Sequence, residues 1–113
     1  MNVLIVEDNA EMRRTMCCLI VDLVDKIVEC TDGSQALALY ETYRPDWVLM
    51  DIEMKKGDGI SLTRRITDAF PAARIAVVTS YDDKDLRETA AAAGASEYVV
   101  NENLIDLRRL FVR

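Results

Sequence analysis

Glu7 and Asp8 after the apolar run VLIV, Asp51 after WVLM and Thr79 after RIAVV put acidic or hydroxyl side chains at the ends of three short apolar segments. If those segments are neighbouring parallel strands, their carboxyl ends share one edge of a sheet and the four side chains meet there. Carboxylates held together repel one another unless a cation lies among them. Oxygen-only ligation of that kind suits Mg2+. The chemistry such a group supports is metal-assisted handling of a phosphate.

Each residue also has a plainer use. Asp8 or Asn9 suits the N-cap of a following helix, and Thr79 or Ser80 can cap the next one. Asp51 leads into the turn-rich Lys56-Gly57-Asp58-Gly59, where a carboxylate is commonly just solvated. Tyr98 at the start of the last apolar run packs as a half-buried aromatic by default. The joint occurrence of acids at two strand ends is what favours a shared site.

The elements that must position them follow from periodicity. Val3 to Val6, Ile27 to Cys30, Trp47 to Met50, Ile75 to Val78 and Tyr98 to Val100 are of strand length and rich in β-branched and aromatic residues. Between the first two, Met12, Met16, Leu19, Ile20 and Leu23 recur at helical steps. Ala36, Leu37, Leu39, Tyr40 and Tyr43 do the same before Arg44-Pro45 ends that helix. Further helices are expected from Gly59 to Phe70, stopped by Pro71, from Lys84 to Ala93, closed by a left-handed Gly94, and from Leu104 to Val112. Met12, Met16 and Met50 read as core filling.

Strict alternation of strand and helix implies an α/β fold, a doubly wound parallel sheet of five strands covered on both faces by helices. The 113 residues, half of them hydrophobic, suffice for one domain spanning 1–113. A formal charge of −6 disfavours direct nucleic-acid binding or attraction to an anionic membrane surface. No apolar run approaches the roughly 18 to 20 residues a membrane span needs. Cys17, Cys18 and Cys30 lack metal-ligand spacing and fit buried, reduced thiols, hence a cytoplasmic setting. The absence of histidine removes Ser-His-Asp and Cys-His nucleophiles from the chain. Neither the dinucleotide fingerprint nor the Walker pattern occurs, and Arg64-Arg65 and Arg108-Arg109 read as basic pairs that snorkel or pair with nearby acids.

In combination, VLIVEDN, VLMDIEM with GI following, AVVTS and GASEYVV resemble, in order and spacing, the receiver domain of two-component response regulators over essentially the entire chain. The resemblance implies a flavodoxin-like (βα)5 fold with strand order 2-1-3-4-5. It implies a signalling module rather than an enzyme, with at most self-phosphorylation and autodephosphorylation at Asp51. Asp51 would be the phosphoacceptor, supplied by a histidine kinase, a phosphotransfer protein or a small phosphodonor. Asp8 and Asp51 would ligate Mg2+ directly, the backbone carbonyl of Glu53 would add a protein oxygen, and Glu7 would act through water. Thr79 would bond a phosphoryl oxygen and Tyr98 would then move inward, shifting the surface of the last helices and strand toward a downstream protein.

Two departures from the pattern carry consequences. The family places a lysine three residues after the fifth-strand aromatic, where this chain has Asn101 followed by Glu102. A charge-assisted hydrogen bond contributes roughly 1.5 to 3 kcal/mol against about 1 for a neutral one, so the deficit is around tenfold in rate or occupancy. Lys55 stands where the family usually has proline, and either it or Lys56 could restore part of that charge. A pseudo-receiver, an interaction module without efficient phosphorylation, is the alternative reading. A phosphatase of the haloacid-dehalogenase kind ranks lower, because its Asp-x-Asp reads Asp51-Ile52-Glu53 here. The leading expectation is a switch without an attached output domain, although Asn101-Glu102-Asn103-Leu104 resembles, lysine apart, regulators carrying a helix-turn-helix effector. A short last helix would leave an apolar face for a homodimer.

Overall fold

Residues Val3 to Val6, Val48 to Met50 and Ile75 to Val77 are all fully buried, as strands covered on both faces must be. In the computed structural model, which describes residues 1–55 and 57–112, they are the middles of β1 (Asn2–Val6), β3 (Trp47–Asp51) and β4 (Ile75–Thr79). The outer strands β2 (Lys26–Cys30) and β5 (Glu97–Val100) carry the exposed charges Lys26, Glu29 and Glu97, which blunt an open edge. All pairings are parallel and the order is β2-β1-β3-β4-β5, as the sequence implied.

Successive strand residues point to opposite faces, so the core divides in two. Val3, Ile5, Trp47, Leu49 and Val78 pack against Met16 and Ile20 of α1 (Ala10–Ile20) and against Leu107 and Phe111 near the chain end. Leu4, Val6, Val48 and Met50 pack against Ala36 and Tyr40 of α2 (Ala36–Tyr43) and Leu62 and Ile66 of α3 (Gly59–Ala69). Beside these lies α4 (Lys84–Ala92), which buries Ala90.

Local signals set the helix ends. Asn9, Asp58 and Asp83 are N-caps, their side chains accepting from Met12, Ile60 and Asp85 N–H groups at 2.9, 3.0 and 2.8 Å. Arg44 adopts φ 44° before Pro45, and Gly94 adopts φ 105° where a Cβ would stand 2.6 Å from the Thr67 hydroxyl. The first helix stops at Ile20 rather than reaching Leu23, which sits in the following turn with its N–H on the Ile20 carbonyl at 2.8 Å.

Two expectations are corrected. The last segment, Asn101–Leu110, is a 3₁₀ helix kinked at Asn103 (φ −115°, ψ 37°), not an α-helix over Leu104 to Val112. Asn101 and Asn103 are residues of low helix propensity, in keeping with a short, broken helix here. Cys30 is buried, but Cys17 is half-buried and Cys18 exposed, all three being free. Adjacent helical residues are rotated about 100° apart, so Cys17 and Cys18 cannot both face the core.

Candidate functional site

Strand order reverses between β1 and β3, and a crevice opens beyond their carboxyl ends. Val6 is paired with Met50 in register, which carries Glu7 past the end of β1 beside Asp51 at the end of β3. The start of α3 is drawn onto that strand end: the Gly59 N–H donates to the Ile52 carbonyl at 3.1 Å, and a Cβ on Gly59 would lie 2.1 Å from the Asp51 carbonyl oxygen. Only glycine allows that approach.

Glu7, Asp8 and Asp51 each offer a carboxylate oxygen within 4.8 Å of the others. They line one open cleft with Glu53, Lys55, Ser80 and Asn101. Glu7 and Asp51 are 5% and 9% exposed, so their charges are largely cut off from water. Burial first, then the hydrogen bond shared with Asp51 and the charges of Asp51 and Asp8, push the Glu7 carboxyl up to about 8, against the lowering effect of the Asn9 N–H. Asp51 is also raised by burial, with Asp8 and Glu53 adding to it, while bonds from Glu7 and the Glu53 N–H lower it. Among the described residues no lysine or arginine forms an ion pair with any of the three. Arg13 lies behind them, its guanidinium bonded to the Glu7 carbonyl at 3.0 Å and to Glu29 at 2.9 Å.

Asp8 is not the helix cap; Asn9 takes that role and leaves the Asp8 carboxylate in the cleft. Nor does Thr79 cap α4, whose N-cap is Asp83. The buried Thr79 hydroxyl accepts from the Tyr81 N–H at 3.2 Å. Tyr98 is half-buried away from the cleft, its hydroxyl donating to the Tyr81 carbonyl at 2.7 Å and its ring under the Arg87 guanidinium at 4.5 Å. Asn101 does line the acidic cleft, as does Lys55, whereas Lys56 lies outside the described residues.

Sequence reasoning missed Tyr81. Its N–H holds Thr79, its carbonyl holds Tyr98, and the neighbouring Glu53 carboxylate raises the pKa of its hydroxyl. No residue-type signal marks it, since two of the three links are through its backbone. Arg14 also lines the cleft, from a position on α1 outside the apolar spacing of Met12, Met16, Leu19 and Ile20.

A strand order of 2-1-3-4-5 with a carboxylate cluster at its switch point defines a CheY-like receiver architecture. The chain belongs to the response regulator receiver domain family, whose model matches residues 3–110. It is 38% identical over 99 residues to the transcriptional regulatory protein PdtaR of Mycobacterium tuberculosis, covering 87% of this chain and 48% of PdtaR. With the chemotaxis protein CheY of Halobacterium salinarum it shares 33% identity over 97 residues, 86% of this chain and 81% of that one. Among solved structures, a LuxR-family two-component response regulator from Aurantimonas sp. superposes with TM-score 0.88 at 31% identity, covering 96% of this chain and 79% of that one. A CheX-CheY-BeF3-Mg2+ complex from Borrelia burgdorferi gives TM-score 0.88 at 25% identity, covering 100% and 90%. The chain spans about half the length of several curated relatives it matches. No helix among the described residues is long and apolar enough to cross a membrane.

Proposed function

We infer that residues 1–113 form one receiver domain acting as a phosphoacceptor switch. An Asp51 oxygen attacks the phosphorus of a phosphohistidine or small phosphodonor; the new O–P bond forms as the donor's bond breaks and its electron pair leaves with the donor. The observation that carries this is the convergence of Glu7, Asp8 and Asp51 within 4.8 Å at the switch point. Similarity to a CheY solved with BeF3 and Mg2+ supports it.

Three hard carboxylate oxygens gathered within 4.8 Å of one another fit Mg2+. Asp8 and Asp51 would hold it directly, with the Glu53 carbonyl, and Glu7 through water. Once bound, the ion supplies charge neutralisation on the phosphoryl oxygens. The chain does the rest. Without the ion, Glu7 keeps its proton up to about pH 8 and can share it with Asp51; with a cation bound, release of that proton is favoured and the Asp51 carboxylate is left as the nucleophile. Thr79 turns from the Tyr81 N–H toward a phosphoryl oxygen. Tyr98 follows inward, because its hydroxyl hangs on the same Tyr81 backbone. The readout is a changed surface on α4, β5 and the C-terminal segment.

The partners proposed with this reading are a histidine kinase or phosphotransfer protein in the cytoplasm, a downstream protein, and a second copy through the exposed Ile105 and Val112. Incubation with Mg2+ and a small phosphodonor, read by intact mass, tests the switch: one phosphoryl mass is gained by the wild type and none by Asp51→Asn. Asn101 in the cleft favours a second reading, the pseudo-receiver, which a wild type inert under forcing conditions would select.

A further inference from the structure

Every carboxylate of the cluster receives a backbone N–H on one of its oxygens. Asn9 donates to Glu7 Oε2 at 3.2 Å, Glu53 to Asp51 Oδ1 at 3.0 Å, and Lys55 to Asp8 Oδ2 at 2.8 Å. The first two donors sit two residues beyond their acceptors, so the turn leaving each strand supplies them automatically. The third is different. Lys55 lies 47 residues from Asp8 in sequence, and its bond is the shortest of the set. It ties the segment leaving β3 across the cleft to the end of β1.

What position 55 gives the cluster is therefore a peptide group. The Lys55 ammonium makes no ion pair among the described residues, so the group of this residue that meets a carboxylate is its backbone N–H. An N–H aimed at a carboxylate brings a partial positive charge to it at a fixed angle and holds that oxygen still. Among the described residues no hydrogen bond reaches the other Asp8 oxygen. Ligating carboxylates generally depend on such outer hydrogen bonds for their orientation and basicity. Proline, the residue the receiver pattern carries at this place, has no N–H to donate.

We propose that the Lys55 backbone amide is a positioning group for divalent-cation binding: it orients Asp8, and it makes cation affinity depend on closure of Glu53–Lys55 over the cleft. Binding and loop order are then linked, each favouring the other. The proposal rests on reading the acidic cluster as a Mg2+ site.

The test is a Mg2+ titration of the full chain by calorimetry, comparing wild type with Lys55→Pro and Lys55→Ala, alongside solvent exchange of the Lys55 amide. Lys55→Ala keeps the N–H and should bind within about twofold of wild type, whereas Lys55→Pro should bind about tenfold more weakly, the low end for loss of an outer bond to a ligand. The Lys55 amide should exchange more slowly when Mg2+ is saturating. Equal or tighter binding by Lys55→Pro overturns the proposal, as does an equal loss in Lys55→Ala, which would assign the effect to the ammonium. If the proline variant does not fold, the wild-type amide decides: faster exchange on adding Mg2+ means the N–H competes with the ion and the proposal fails. Absence of Mg2+ binding by the wild type overturns the site reading as well, while normal binding with an unaffected Lys55→Pro overturns this inference alone.

Discussion

At the amino edge of the sheet the Asn2 N–H donates to Asp46 Oδ2 at 2.7 Å, and Arg74 stacks 4.9 Å over Trp47 while its Nε donates to the Asp46 carbonyl at 3.2 Å. Phe111 meets the same indole edge-on at 6.5 Å. At the carboxyl edge, Glu7, Asp8 and Asp51 crowd within 4.8 Å with no cationic side chain paired to them among the described residues. The same strands thus run from an end where charge and packing are matched to one where like charges are held together. Burial of carboxylates without a cationic partner lowers stability, and either protonation or a bound cation offsets that cost. One edge holds the fold; the other is kept ready for chemistry.

Substitution at Trp47 separates the two edges most sharply. Trp47→Ala removes a 6%-exposed indole and should cost about 3 kcal/mol or more in urea unfolding, with Mg2+ affinity of the folded protein unchanged. Because the indole Nε1 has no hydrogen-bond partner among the described residues, Trp47→Phe should stay within about 1.5 kcal/mol of wild type. A large loss of Mg2+ affinity in either variant would break the separation.

At the opposite edge, Asn101→Lys introduces the missing cation beside the carboxylates. Phosphorylation by a small donor should accelerate about tenfold, the difference between a charge-assisted and a neutral hydrogen bond. An unchanged rate would show that position 101 does not reach the reacting group.

Smaller effects sharpen the electrostatic half of the contrast. Without metal, folded Glu7 keeps its proton up to about 8 whereas the unfolded chain loses it near the ordinary 4.5. The unfolded state therefore binds fewer protons between those values, so this contribution to stability is complete below 4.5 and is lost as the pH rises to about 8. Thermal midpoints of the metal-free protein should fall across that window, and Mg2+ should raise the midpoint more at its alkaline end. Glu7→Gln, which mimics the protonated acid, should flatten the slope and gain about 1 kcal/mol above the Glu7 pKa. A slope that survives the substitution would place the titrating group elsewhere.

Much of the fold was readable in the chain because parallel strands covered on both faces must be continuously apolar. VLIV, WVLM and IAVV therefore announced themselves, and the acids that follow them marked the sheet edge. Whereas the caps Asp58 and Asp83 emerged only in the structure, helix boundaries were readable at Asn9, Arg44-Pro45 and Gly94, where a side chain or a restricted backbone sets them. The last segment was not, since a 3₁₀ helix and an α-helix share nearly the same apolar spacing over a few residues. Exposure of Cys18 was missed for a related reason: composition suggests burial, but helix phase decides it.

By itself the sequence determined that five strands alternate with helical segments and that Glu7, Asp8, Asp51 and Thr79 lie at strand ends, because periodicity and residue type are local properties. Only the tertiary structure decided how those groups are held: that Asp8 answers to the Lys55 amide, that Tyr81 joins Thr79 to Tyr98, and that burial beside Asp51 makes Glu7 hold its proton up to about 8. Backbone donors are the same in every residue but proline, and desolvation depends on what the whole fold stacks around a group. Neither is written in the identity of any single residue.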